Sequence, residues 1–167
     1  MGFERVYHYA AGKLDWKAAG LPIEGELAAR PTAGQFARAD VPTCRVDEPM
    51  ATVRDRAKEA GWNACVVVNE ERVVFGLLRS KELARGRDEP VERFMRPGPS
   101  TFRPHVPIVE MAVYMFEHNV ESSPITTSDG RLVGLLLRED AEREVHRLHE
   151  EHLRHHEAEG SDHPDAG

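Results

Sequence analysis

Apolar residues at Met50, Val53, Ala57 and Ala60 recur at steps of three and four, the spacing that lays one face of a helix on a core. Pro49 stands just before them, where proline's fixed φ suits a first helical turn and its missing N–H costs nothing. Downstream, ACVVV (residues 64–68) and ERVVFGLL (residues 71–78) are β-branched runs too short for helices. The turn-forming NEE between them makes the two runs a strand pair. A short extended piece, TCRV, precedes the first helix, and the polar stretch after Gly76 predicts a second.

The whole pattern then returns. Gly134 follows Gly76 by 58 residues, and the same offset carries Thr43 onto Thr101, Arg45 onto Arg103, Pro49 onto Pro107 and Glu59 onto Glu117. Leu77 and Leu78 fall on Leu135 and Leu136, and apolar class is kept at Met50 and Ile108, Val53 and Met111, Ala57 and Met115, and Val67 and Ile125. TSDG replaces NEE at the turn, and TFRP replaces TCRV. A repeat of this kind, residues 43–83 and 101–141, is one supersecondary unit used twice. A unit of about forty residues buries too little apolar surface to stand alone. The expected fold is therefore α+β: two β-α-β-β-α repeats packed with pseudo-twofold symmetry, with an extended C-terminal helix and with clefts where strand ends meet helix starts.

GLLRSKEL (residues 76–83) and GLLLREDA (residues 134–141) close the two units. A glycine, two apolar residues, a threonine or serine, two variable residues and an aspartate at this place resemble the cystathionine-β-synthase (CBS) domain, which occurs in tandem as a Bateman module. PITTSDGRLVGLL (residues 124–136) is a close match to that family's strand and hairpin. The resemblance covers residues 33–145 and implies inter-repeat clefts that bind AMP, ADP, ATP, S-adenosylmethionine or NAD, with the aspartate on the ribose hydroxyls. It places Asp140 at the ribose position of the second copy and Glu82 at that of the first; the threonine positions hold Leu137 and Arg79, which departs from the pattern. Arg79, Ser80 and Lys81, and Arg138 in the second copy, are the candidates to meet phosphate, and Pro124 and Val66 are candidate strand contacts to the nucleotide. A carboxylate at a first helical turn also stabilises its helix with no ligand at all. Two functions follow as expectations: a regulatory module sensing an adenosyl nucleotide, or a ligand-free homodimerisation scaffold for an unidentified protein target. The division expected is residues 1–30, an N-terminal segment; 31–88 and 89–146, the repeats; 147–167, a helix extension and disordered tail.

Composition narrows the partners. With 40% hydrophobic and 31% charged residues and a net charge of -7, the chain reads as globular and lacks the basic surface that nucleic acid or an anionic membrane selects. No apolar run is long enough to span a bilayer, and no signal peptide opens the chain, so the cytoplasm is the expected location. Cys44 and Cys65 lack metal-ligand spacing and are expected as buried thiols. Residues 6–26, VYHYAAGKLDWKAAGLPIEGE, resemble the closing strand and helix of a rhodanese domain. The catalytic cysteine loop of such a domain is not in this sequence, so sulfurtransferase activity is not expected; the segment reads as a relic packed on the module. Residues 138–160 are rich in helix formers, with Val145, Leu148 and His152 as a thin apolar stripe and pairs such as Glu151 with His155 on the surface. His149, His152 and His156 share one face at three- and four-residue steps, a weak alternative as a metal site. No acid–base pair, nucleophile or phosphate loop emerges, and the chain is expected not to be an enzyme.

Overall fold

The computed structural model describes residues 30–160, with side chains through residue 155. The chain divides into two compact units. One is Pro31–Val145, which holds both repeats; of the other, Arg30 and the helical residues from His146 onward are described. The predicted rhodanese-like segment and the terminal SDHPDAG lie outside the described residues.

In the first repeat a short helix α1 (Ala33–Phe36) leads to β1 (Thr43–Cys44), α2 (Met50–Glu59), β2 (Cys65–Val68), β3 (Val74–Leu78) and α3 (Ser80–Leu83). A 3-10 turn (Val91–Arg93) and β4 (Arg96–Pro97) lead to α4 (Ile108–Glu117), β5 (Ser122–Thr126), β6 (Leu132–Leu137) and α5 (Arg138–Gly160). Pro49 and Pro107 cap α2 and α4 at their N-termini, as the proline positions require. Ala60, expected on the buried face of α2, is its exposed C-cap. TFRP forms no strand of its own: Phe102 makes a single parallel bridge to Ile125.

The sheets carry out an exchange between the repeats. The four-stranded sheet runs β1-β2-β3-β4, and β4, which belongs to the lead into the second repeat, pairs with β3 of the first. Reciprocally, Arg38 in the lead into the first repeat bridges to Leu135 in β6, its N–H donating to the Leu135 carbonyl at 2.9 Å. At the centre Val73 bridges Arg131, 58 residues on. The flanking Val74 N–H donates to Gly130 O and the Leu132 N–H to Arg72 O, so each of these bonds is the other's image. A residue paired with its own repeat-mate marks a local twofold axis, and that axis passes here.

Period-two alternation divides the core into layers. Cys65, Val67 and Leu78 join Cys44 under Met50, Val53 and Ala57 of α2, while Val66, Val68 and Leu77 meet Leu132 and Leu135 of the second repeat. β2 is buried at every position, which explains its unbroken apolar run. In the second repeat Ile108, Met111, Ala112 and Met115 are the buried face of α4.

The last helices of the repeats differ most. α3 is a single turn because Gly86 takes a positive φ of 63° and Arg54 donates to the Leu83, Arg85 and Gly86 carbonyls, satisfying the chain where the helix stops. At the matching positions the second repeat has Glu144 and Ala112, and α5 continues for 23 residues. On α5 Glu151 pairs with Arg147 rather than with the expected His155, and His146 Nε2 lies 3.1 Å from Glu150.

Candidate functional site

Asp140 and Glu82 lie in the first turns of α5 and α3, which begin directly after the strands carrying Gly134 and Gly76. Asp140 is buried, and its carboxylate is held by two arginines. Arg38 donates Nε to Oδ2 at 2.7 Å and Nη2 to Oδ1 at 2.9 Å, a fork matched to a carboxylate. Arg143 adds Nη1 to Oδ1 at 2.9 Å. The Arg38 hydrogen bonds hold Asp140 below the usual carboxylate range against the opposing effect of burial. Glu82 repeats the arrangement: Arg96 donates Nε to Oε1 at 2.9 Å and the Arg79 backbone N–H donates to Oε2 at 2.9 Å. Burial pushes Glu82 up, but these donors bring it below the usual glutamate range.

Arg38 and Arg96 are 58 residues apart, as are Asp140 and Glu82. The paired glycines explain how the arginines arrive. A Cβ on Gly134 would stand 2.9 Å from the carbonyl carbon and oxygen of Arg38, and one on Gly76 would stand 3.2 Å from Arg96 O and 2.6 Å from Met95 Sδ. Each glycine leaves room for the backbone of an arginine whose side chain then clamps the acid six residues further on.

A cleft of about 750 Å³ opens beside the first of these clamps, lined by Arg38, Asp40, Arg54, Lys58, Trp62 and Glu139 among others. Leu137, Asn63 and Ser80 also line it. Asp140 is not on that wall; its partner Arg38 and its neighbour Glu139 are. The Arg38 guanidinium carbon stands 5.8 Å from the centre of the Trp62 ring, within cation–π range. The matching surroundings of Glu82 are different. Where the second repeat has Leu137, the first has Arg79, whose Nη2 donates to Ser122 O at 2.9 Å and whose buried Nε has no partner. Burial, and then the charge of Arg96, lower the Arg79 pKa.

The remaining predicted residues scatter. Ser80 reaches the cleft, Lys81 is exposed away from it, and Arg138 turns toward Asn119 Oδ1 (3.3 Å) and Glu142 (3.6 Å). Val66 and Pro124 hold equivalent strand positions; Val66 is fully buried in the core between the sheets, and Pro124 is buried too. The side chain of His156 lies outside the described residues, and among those described no group of three His, Cys, Asp or Glu is placed to hold a metal ion. Cys44 and Cys65 are free and buried; the neighbouring Cys65 thiol and burial raise the Cys44 pKa, which keeps it a protonated thiol. Sequence reasoning missed Arg38, Arg96, Arg143 and Trp62. A signal for three of these was present, since the 58-residue offset carries Arg38 onto Arg96 and Arg85 onto Arg143, but a repeat started at Thr43 and ended at Leu83 leaves them out.

The CBS domain family matches residues 33–89 and again residues 91–147. The chain belongs to the CBS domain family. Its pair of CBS repeats is similar in fold to several solved structures. The CBS domain pair of protein MJ0100, in complex with 5'-methylthioadenosine and S-adenosyl-L-methionine, is 18% identical with a TM-score of 0.62, over 69% of this chain and 95% of that one. CBSX2 from Arabidopsis thaliana in complex with AMP is 18% identical with a TM-score of 0.63, over 70% of this chain and 97% of that one. The cytosolic domain of the Mg2+ channel MgtE in complex with ATP is 22% identical with a TM-score of 0.61, over 68% of this chain and 49% of that one. Among the described residues no helix is long and apolar enough to cross a membrane.

Proposed function

We propose that this CBS pair is a regulatory binding module rather than an enzyme, and that it takes an adenosyl nucleotide in the cleft beside Asp140. The observation that carries this reading is the juxtaposition of a buried, ionised carboxylate with a roomy cleft walled by Arg38, Arg54, Lys58 and the Trp62 ring. Once Arg38 swings aside, an ionised Asp140 can accept both hydroxyls of a ribose, the cations suit phosphate, and Trp62 offers an aromatic face. The 750 Å³ volume lies within the range of small-molecule sites. Relatives of the same fold captured with AMP, with ATP and with methylthioadenosine and S-adenosylmethionine support the ligand class. Binding would act on a target by shifting the balance between arrangements of the two repeats or of a homodimer.

A second reading, a ligand-free homodimerisation scaffold, draws on one observation: both ribose-position acids already have arginine partners. Thermal unfolding with AMP, ADP, ATP, S-adenosylmethionine and NAD separates the two. At a hundredfold excess over Kd a bound ligand should add about 2.7 kcal/mol of stability. Asp140→Ala should remove that response, and no response to any of the five in the wild type would leave the scaffold.

A further inference from the structure

We propose that Arg38 sets the ligand class of the Asp140 cleft: it yields the carboxylate only to a ligand that brings an anion of its own, which selects phosphorylated adenosine nucleotides over uncharged adenosyl compounds. The inference rests on the nucleotide reading above and adds to it a specificity determinant.

Three guanidinium N–H groups occupy the Asp140 carboxylate, two from Arg38 and one from Arg143. A ribose diol that bridges both carboxylate oxygens needs the two positions Arg38 holds, since Arg143, although 70% exposed, bonds Oδ1 alone; the Arg38 side chain is 42% exposed and able to swing, whereas Asp140 is 10% exposed and fixed. Once displaced, Arg38 needs a new partner. Glu139 is the nearest other acid, 3.8 Å from Nη2, but its side chain is 67% exposed, so solvent screens that pair to little value. Asp40 lies on the same wall, where its carboxylate accepts from the Trp62 indole N–H at 3.4 Å and only its longer-range charge reaches Arg38. Arg54 spends its donors on backbone carbonyls, which neutralise none of its charge, and Lys58 is exposed. An uncharged nucleoside entering this cleft therefore exchanges a forked ion pair for two hydroxyl hydrogen bonds and leaves a cation unmatched. A phosphate on the same nucleoside gives Arg38 an equivalent fork, and the exchange becomes balanced.

A charge-assisted hydrogen bond gained or lost corresponds to about a tenfold to hundredfold change in affinity. Calorimetric titration of the full chain with AMP and with adenosine should show AMP the tighter by about tenfold or more. Arg38→Ala frees two acceptor positions while Arg143 still partners Asp140. In that variant adenosine should bind more tightly and AMP more weakly, so that the preference falls to about threefold or less. Arg38→Gln, which is shorter and uncharged but keeps the polar aliphatic side chain, gives the same reading should the alanine variant fail to unfold cooperatively. Equal binding of AMP and adenosine to the wild type, or a preference that survives both substitutions, overturns the proposal while leaving the nucleotide site intact. Binding of neither ligand to the wild type or to either variant overturns the nucleotide site, and the proposal with it.

Discussion

Asp140 and Glu82 hold equivalent places in the two repeats, and each is clamped by an arginine delivered from the lead into the other repeat. Around this shared frame the neighbourhoods diverge. Beside Asp140, Leu137 and the small residues Ala57, Ala60 and Gly61 line a cleft; beside Glu82, the place of Leu137 is taken by Arg79, half-buried with its buried Nε unsatisfied. An orphaned buried donor carries a desolvation cost of about 1–3 kcal/mol, so the first repeat holds its guanidinium there at an energetic disadvantage. The contrast shows how a duplicated fold separates roles. The glycine, the crossing backbone and the acid–arginine clamp are common to both repeats, whereas the neighbouring position differs: Leu137 lines the cleft, and Arg79 turns a guanidinium N–H to Ser122 O.

If the clamps depend on close backbone approach, the glycines should not be equally replaceable, and this is where the largest effect is expected. At Gly134 an added methyl group meets main-chain atoms of Ala37 and Arg38 at 2.9 to 3.1 Å, which cannot move without breaking the bridge to Leu135. At Gly76 the nearest atom is the sulfur of Met95, the flexible end of a side chain. Overpacking against backbone costs about 1–3 kcal/mol, and alanine recovers about 0.5–1 kcal/mol of unfolded-chain entropy. Gly134→Ala should therefore lower stability by about 2 kcal/mol in urea unfolding, and Gly76→Ala should lie near zero. Equal losses at the two sites would mean that the crossing strands are held in some other way.

The clamps also show which parts of this protein were legible in its sequence. The apolar periods of three and two, the prolines at Pro49 and Pro107 and the echo of Gly76 in Gly134 carry the fold, because each reports a local requirement of one element. The acids at positions 82 and 140 were equally readable, since they sit at fixed distances from those glycines. Their partners were not. Arg38 meets Asp140 across 102 residues of chain, and β4 is only two residues long, so no periodicity announces that either lead crosses to the opposite repeat. Trp62 enters the cleft in the same silent way, from the connection between α2 and β2. The length of α5 was visible in its helix formers, whereas the stop after α3 depends on Arg54, an ordinary helix residue until its carbonyl partners are seen.

Acid should sharpen the comparison on a smaller scale. Asp140 titrates below its ordinary 3.8 chiefly through Arg38, and Glu82 below its ordinary 4.5 although burial opposes the shift. With folded values depressed, the unfolded state binds more protons across this range. The stabilisation is complete above the unfolded values and is lost as pH falls through the folded ones. Because both arginines are more than a third exposed, each clamp's share is on the order of 1 kcal/mol. Asp140→Asn should be less stable than wild type at pH 6, with the gap closing as pH falls below about 4; Glu82→Gln should do the same with a smaller gap. A gap that stays constant from pH 6 to 2.5 would assign the loss to packing rather than charge.

The smallest effect belongs to the helices that end the two repeats. α5 owes its length to the absence of the stop found after α3, and along it Arg147 pairs with Glu151 at the i,i+4 spacing. Both side chains are nearly half exposed, so water competes for each charge and the pair is worth about 0.3 kcal/mol. Glu151→Ala also replaces one good helix former with another, which leaves intrinsic helix preference almost unchanged. The expected result is a Tm within about 1 °C of wild type and unaltered helical circular dichroism. A fall of several degrees would show that Glu151 holds something other than the solvent side of its own helix. The contrast between a stopped and a continuing helix would then rest on tertiary contact at α5 as well as on the backbone cap at α3.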